Sequence, residues 1–552
     1  MRRRLAGAGG RADLAAWALA GLICAASAVT LVVLGTRLTF FNDDWFFLLQ
    51  RPGLTADSVF TPHNGHLSAL TVLLYKGLVA LFGLGAQLPF RLVLAGAVVS
   101  VGILVFVLVS ERAGRFLGLV AATIVVFLGP AWEDLLWSFQ IGFVGSLATG
   151  LAALLALERD TSRRNAAACG LLVCSISFSD VGVPFVVAAA VAVALRRRLA
   201  QLWIPAVPAA LFGVWWIAYG SGARSYLSVA NVRHLPRYLL DSIANGLGSI
   251  AGVHSGAVTG TSGWGLALLV VAAAGIAVWL FRGGRPSSWL LVFAAAAVTF
   301  WALAGANFMI GREPVSSRYQ LFDATLLILM AAELFRPVRL RPLTAAAIAA
   351  IALVAVVSNV RELGEGYHFL RAHSAAAKAD LGALEIARGR APGNFQLFEQ
   401  VARDPYLTGI TAGRYFRETA AHGSPAVYSP AQLATASPPQ RRAADGILAA
   451  AYRMLPRPAT RTPLSRGCRR VPVGAGADIE MPPGGAAISN LGRSPLDIGV
   501  RRFAPPGLAV SVGMLQAGAS ARIPVPRDSA GAPWHLTARG ASALAICPLA
   551  TG

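Results

Sequence analysis

Apolar residues in this chain fall in long uninterrupted blocks, among them residues 14–35, 92–110 and 264–281, separated by short polar connections. Each block is close to the roughly 20 helical residues that cross about 30 Å of hydrocarbon. The pattern therefore predicts repeated membrane-spanning helices. The first block follows Met1 and three arginines, as a signal peptide would. It is long, lacks a small-x-small cleavage site and is followed by more spans, so it reads as a retained anchor. Further crossings are predicted at 116–131, 141–157, 202–219, 288–306, 321–335 and 342–358, while 67–84, which carries Lys76, reads as an interfacial helix.

Residues 166–195 are too long for one straight span and too short for two ordinary ones. Both flanks are arginine-rich, so the segment is expected to form a hairpin that breaks at Ser177-Phe178-Ser179-Asp180 and returns to the side it came from. Non-helical backbone at that depth must be enclosed by protein or water.

Charge adds a direction. The net charge of +22 would suit nucleic acid, but its placement argues otherwise. Arginines cluster at residues 2–4, 112–115, 159–164, 196–198, 282–285 and 336–341. These are the short connections that share one face if the chain crosses at every block, which is the positive-inside pattern. The resulting map has about eleven crossings, a cytoplasmic N-terminus, a long outer loop at 220–263 and everything after Asn359 outside. With 56% hydrophobic and 13% charged residues, the chain is too apolar to cover itself without lipid. Nucleic acid is not expected as a partner.

The tail divides in two. Residues 361–455 carry Ala-rich helical runs broken by Pro- and Gly-rich turns. A Pro-rich linker then leads into 456–552, where 507–515, 521–525 and 534–538 read as strands of a small β-sandwich. Cys24, Cys169 and Cys174 lie in apolar spans. Cys468 and Cys547 bracket the β-like region and are expected to form a disulfide in an oxidising compartment; two unpaired thiols are the alternative. The expected architecture is a polytopic α-helical membrane domain over 1–360, followed by an extracytoplasmic α+β region.

Candidate chemistry gathers on the expected outer face. Asp43 and Asp44 follow the first span amid aromatic and aliphatic residues, where two carboxylates are costly unless solvated, paired or used. The plainer reading gives one of them to capping the next helix and the other to water. His63 and His66 stand in the same loop, placed to orient the aspartates, bind phosphate or simply hydrogen-bond at the interface. Glu133, Asp134 and Gln140 sit where one span meets the next, and Asp134 reads equally well as a helix cap. Asp180 marks the hairpin tip. Arg312, Arg318 and Tyr319 lie on the side where arginine is disfavoured, which suits a phosphate or diphosphate gripped by guanidinium or an ion pair with Glu313 or the aspartates. No CxxC or HExxH metal spacing occurs.

The acidic pair past the first span, the interfacial outer-loop helix, the mid-chain broken hairpin, the late arginine loop and the outer C-terminal domain resemble the GT-C class of integral-membrane glycosyltransferases. The layout is most similar to bacterial relatives of protein mannosyltransferases and aminoarabinose transferases. The runs Asn42-Asp43-Asp44-Trp45, His63-Asn64-Gly65-His66, Trp137-Ser138-Phe139-Gln140-Ile141-Gly142-Phe143 and Ser317-Arg318-Tyr319 also resemble those of a large group of uncharacterised bacterial membrane proteins. The resemblance covers residues 1–360. It implies a multi-pass protein of the bacterial inner membrane that transfers a sugar from a polyprenyl-phosphate carrier to an envelope glycan, lipid or protein acceptor. By that resemblance Asp43 or Asp44 is the general base or helps hold a divalent cation. Arg318 and Arg312 stabilise the departing phosphate, and Glu133, Gln140 and Asp180 line the sugar pocket. The Trp-Trp-Asp motif of oligosaccharyltransferases is absent, since Trp215-Trp216 precedes Ile217. The competing readings are a polysaccharide polymerase or ligase, a lipid-linked-glycan transporter and a non-enzymatic envelope-assembly protein.

Overall fold

The computed structural model describes residues 2–549 except 160, 224, 255–262, 335, 337–339, 398–406, 408, 460–466, 475, 541 and 542. Arg339, part of the expected outer loop and part of the Pro-rich linker therefore lie outside the described residues, as do the side chains of Arg2, Arg3 and Arg4. The chain forms two compact units. One contains residues 1–37, 51–81 and 87–370; the other contains 38–50, 82–86 and 371–552.

Along the chain the helices run α1 (Arg2–Gly35), α2 (Asp43–Leu49), α3 (Ala56–Phe60), α4 (Ala69–Phe82), α5 (Leu88–Ala113), α6 (Arg115–Val126), α7 (Trp132–Leu136), α8 (Ile141–Leu157), α9 (Ser162–Phe178) and α10 (Val183–Leu195). They continue as α11 (Trp203–Trp215), α12 (Val229–Ala251), α13 (Gly263–Phe281), α14 (Ser288–Ala306), α15 (Ser317–Leu334), α16 (Pro342–Ile386), α17 (Ala412–His422), α18 (Pro430–Thr435) and α19 (Pro438–Ala451). Among the described residues, 7 helices are long and apolar enough to cross a membrane, or up to 8 if the pair Arg115–Val126 and Gly129–Leu136, bent by 44°, is one span. The expected crossing at 321–335 forms α15, which carries Arg318, Asp323 and Glu333 and is not among them.

Small residues let these helices approach. Ala16, Ala20 and Ala122 pack with Phe106 where α1, α5 and α6 meet, and Trp17 meets the Phe106 ring edge-on at 4.9 Å, the close approach that small residues allow between apolar helices. Two elements differ from expectation. The stretch read as an outer loop contains α12, capped by Ser228 and closed by Gly252 at φ 68°. Its buried face is Tyr238, Ser242, Asn245, Ser249 and small residues, and Arg233, Pro236, Arg237 and Asp241 interrupt any apolar run. The last predicted span does not stop near Asn359 but continues unbroken to Ile386, because the residues that follow keep high helix propensity.

The basic connections gather at one end of the first unit. Arg112, at the end of α5, bonds to Glu158 and, at 2.5 Å, to Glu333, and its guanidinium lies 5.5 Å from the Trp289 ring. Ser287 donates to the other Glu333 oxygen at 2.7 Å. Arg196, beyond α10, lies 5.0 Å from the same Trp289 ring and donates to the Leu157 carbonyl at 2.6 Å. Since Leu157 ends α8 and α9 begins five residues later, the α9–α10 pair returns to the end from which it left.

Among the described residues of the second unit, nine strands form two antiparallel sheets, ordered β1-β7-β4-β9-β2 and β3-β8-β5-β6, where β1 is Arg457–Pro458, β2 Arg469–Pro472, β3 Ala477–Glu480, β4 Gly484–Asn490, β5 Leu496–Arg501, β6 Val510–Leu515, β7 Ser520–Val525, β8 His535–Arg539 and β9 Ala543–Pro548. Cys468 is bonded to Cys547, S–S 2.11 Å, beside the paired strands β2 and β9. The Asp445 carboxylate of α19 accepts backbone N–H groups of Arg502, Phe503 and Ala504 at 2.8–2.9 Å. Burial pushes its pKa up, and those hydrogen bonds oppose the rise.

Removing Arg112 takes the shorter of two ion pairs from buried Glu333 and leaves it Arg336 at 3.4 Å and the Ser287 hydroxyl. The Arg112→Ala variant is expected to lose about 3–5 kcal/mol of stability, and Glu333→Gln in that background to recover part of it. Thermal unfolding of the purified proteins in lipid checks both.

Candidate functional site

The hairpin tip is built by its sequence. Ser179 is extended (φ −162°, ψ 148°) and ends α9, a short turn over Asp180–Gly182 follows, and Pro184 sits in the first turn of α10, where its missing N–H costs nothing. A Cβ on Gly182 would lie 2.6 Å from the Ser175 carbonyl carbon, so only glycine fits. The carbonyls released by the break find hydroxyl donors. Thr71 donates to the Phe178 carbonyl at 2.7 Å, and Ser146 to that of Ser179 at 3.4 Å. Ser175 ties the break to α8 through the Ser146 carbonyl at 2.8 Å. Asp180 is thereby held at the tip.

A second small element brings His66 to it. His63 and His66 exchange both backbone hydrogen bonds, at 3.0 and 2.8 Å, across Asn64 (φ 52°) and Gly65 (φ 88°). Two left-handed residues make the Asn-Gly type I′ turn that suits a two-residue hairpin. Arg51 anchors the preceding chain through the carbonyls of Ser58 at 3.0 Å and Thr61 at 2.8 Å, and burial lowers its pKa to about 10. The two histidines then differ. His63 is buried against the Phe139 ring, centroids 5.3 Å apart. His66 is half-buried and places Nδ1 2.6 Å from Asp180 Oδ1.

With Nδ1–H donated to Asp180, Nε2 carries the free lone pair. Arg312 faces it, with one guanidinium nitrogen 3.5 Å from Nε2 and 3.2 Å from the Asn64 carbonyl. Tyr226 lies under that guanidinium at 5.5 Å, and the Tyr238 hydroxyl donates to the Arg312 carbonyl at 3.0 Å. Three chain segments distant in sequence thus meet in an Asp180–His66–Arg312 row.

Glu133 and Arg318 form a neighbouring pair at 3.4 Å. Ser317 accepts the Glu133 N–H at 3.0 Å, which docks the start of α15 on α7. Tyr319 is buried edge-on against Phe300, centroids 5.6 Å apart, and serves as packing. Gln140 is buried where the turn after α7 enters α8. Two buried carboxylates extend inward. Asp134 is fully buried, and among the described residues neither of its oxygens has a hydrogen-bond partner. Asp323 accepts Trp301 Nε1–H at 2.7 Å. Sequence reasoning left Asp134 as a possible cap and passed over Asp323; a carboxylate two residues into an apolar run of α15 was the available signal.

Asp43 and Asp44 belong to the second unit. Asp44 is fully buried, and its Oδ2 accepts the Phe41 N–H at 2.8 Å, closing the turn that starts α2. Asp43 is half-buried. Among the described residues no group of three or more His, Cys, Asp and Glu side chains is placed to hold a metal ion.

No family model matches the chain, and no curated protein matches it.

The Glu133–Arg318 contact is long at 3.4 Å and the Arg318 side chain is 32% exposed, so the pair should contribute little to folding. Arg318→Gln is expected to change stability by no more than about 1 kcal/mol in thermal unfolding, whereas a structural Arg318 would cost several times that.

Proposed function

We propose that this chain is a multi-pass enzyme of the bacterial inner membrane, with a cytoplasmic N-terminus and an extracytoplasmic C-terminal region. It transfers a sugar from a polyprenyl-phosphate carrier to a hydroxyl acceptor, as the GT-C resemblance implies. The observation that carries this reading is the Asp180–His66–Arg312 row, a base and a phosphate-gripping cation side by side at one end of an apolar helical unit.

In this scheme Asp180 fixes the imidazole tautomer and orientation, and His66 Nε2 takes the proton from the acceptor hydroxyl. The hydroxyl oxygen bonds to the anomeric carbon as the bond from that carbon to the phosphate oxygen breaks. Polyprenyl phosphate leaves with the electron pair, and the anomeric configuration inverts. Arg312 and Arg318 meet the growing negative charge on the phosphate. In the resting arrangement Arg312 occupies the lone pair of His66; donor phosphate draws it away and frees the base. Glu133 holds Arg318 in place, and Gln140 contributes to the sugar pocket.

The resemblance gives the base to Asp43 or Asp44 instead. Asp44 is committed to the Phe41 N–H, which leaves Asp43 as the rival. A transporter of lipid-linked glycan is the second reading, favoured by the buried carboxylates Asp134 and Asp323, since acidic groups inside apolar helices mark substrate paths.

Purified chain in lipid, given a panel of radiolabelled polyprenyl-phosphate sugars, is expected to transfer or hydrolyse one of them. His66→Gln and Asp180→Asn should each lower the rate by about 10²–10⁴-fold, the double variant should be no slower than His66→Gln, and Asp43→Asn should stay near wild type. Loss in Asp43→Asn with His66→Gln unaffected moves the base to Asp43. Absence of transfer with every donor, together with lipid-linked sugar moving across liposomes, contradicts the enzyme and supports the transporter.

A further inference from the structure

The second unit contains a cavity that the proposed transfer chemistry does not use. Its volume is about 600 Å³, and Gln50, Asn394, Gln396, Thr411, Arg414 and Arg417 line it. Segments 393–397 and 409–413 pair along its floor, with Leu397 N–H donating to the Ile410 carbonyl at 3.1 Å, Ala412 to Phe395 at 2.9 Å and Gly413 to Gly393 at 2.9 Å. Glycine is required twice there. Gly409 has φ +78°, and a Cβ on it would lie 2.2 Å from Gln50 Nε2; one on Gly413 would lie 2.8 Å from the Gly393 carbonyl oxygen. The backbone thus stays low and leaves the space open.

The lining has a definite chemistry. Arg414 and Arg417 are three residues apart on α17, hence neighbours on one helical face, and both are exposed. They stand in the first two turns of α17, behind its Thr411 cap, where the helix end also favours negative charge. No carboxylate among the described residues lines the cavity. Among the described residues the side chains of Gln50, Asn394, Gln396, Arg414 and Arg417 are engaged in no hydrogen bond or ion pair. Two guanidinium groups with no counter-charge among the described residues call for an anion. Three amides and a hydroxyl, each donor and acceptor, match a ring of hydroxyls. The volume falls within the roughly 300–1,000 Å³ of ligand sites and far exceeds what a bare phosphate fills. Among the described residues no aromatic ring lines it, so the binding groups on hand are hydrogen-bonding and charged rather than stacking.

We propose that this cavity binds an acidic sugar residue, its carboxylate held by Arg414 and Arg417 and its hydroxyls by Gln50, Asn394, Gln396 and Thr411. The inference rests on the transferase reading in one respect, that the bound glycan is the acceptor; the binding itself does not depend on it.

Binding to the full chain in phosphatidylcholine nanodiscs, measured by titration calorimetry, tests this with a uronic acid tetrasaccharide, its carboxyl-reduced counterpart and inorganic phosphate. The uronate is expected to bind at least tenfold tighter than the reduced sugar and than phosphate. An Arg414→Gln, Arg417→Gln double variant should lose that preference while keeping its melting temperature. His66→Gln should bind the uronate like wild type, because no transfer is involved, so failure of the enzyme reading leaves this result intact. Equal affinity for the two sugars, a preference that survives in the double variant, or phosphate binding as tightly as the uronate would overturn the proposal.

Discussion

A backbone carbonyl released by a helix break inside an apolar bundle must find a donor or pay several kcal/mol in lost solvation. The turn between α9 and α10 meets this constraint with hydroxyls from neighbouring helices, Thr71 on α4 and Ser146 on α8. The candidate site follows from that solution. With the break stabilised, Asp180 is fixed at its tip, and a fixed Asp180 can hold the His66 ring at 2.6 Å. His66 in turn presents its other nitrogen towards Arg312. A straight helix over the same residues would carry Asp180 past the His63–His66 turn.

The two ends of the first unit use charge differently. At the basic end, Arg112 and Arg196 share the Trp289 ring and are locked by buried acceptors, an arrangement that holds helices together. At the other end, Arg312 makes a long contact to a ring nitrogen and a hydrogen bond to a backbone carbonyl, and Arg318 reaches the mostly buried Glu133 carboxylate only at 3.4 Å. Such contacts are weak enough to yield to a phosphate, whose bidentate pairing with guanidinium is stronger. The difference between tight and loose partners separates scaffold arginines from candidate binding arginines better than their position in the chain does.

Much of this was legible in the sequence where one physical signal dominated. Apolar block length marked most helices, and arginine-rich flanks around residues 166–195 marked a segment that turns back near Ser179. The isolated pair Cys468 and Cys547 pointed to its bond. Other features depend on signals a linear reading weighs poorly. Helix α12 buries Tyr238, Ser242, Asn245 and Ser249 and is amphipathic rather than apolar throughout, so a search for long apolar blocks passes over it. The Asp43–Asp44 pair looked like one motif, yet Asp44 is spent on the Phe41 backbone, a division of labour set by the left-handed Asn42 before it. His63 and His66 looked equivalent and are not, because the turn between them sends one ring into the Phe139 packing and the other to Asp180. Asp323 was hidden by the apolar residues around it.

In the proposed reaction the Arg312 and Arg318 end of the first unit receives the phosphate of a polyprenyl carrier. Photo-crosslinking with a diazirine-bearing polyprenyl phosphate, followed by peptide mass spectrometry, reads this directly. Labelled peptides spanning residues 61–66 and 307–319 are expected, competed away by unlabelled polyprenyl phosphate and lost in an Arg312→Gln, Arg318→Gln double variant. Label confined to the outward face of α13, where Gly265 is the one buried residue among those described, and indifferent to competitor would contradict it.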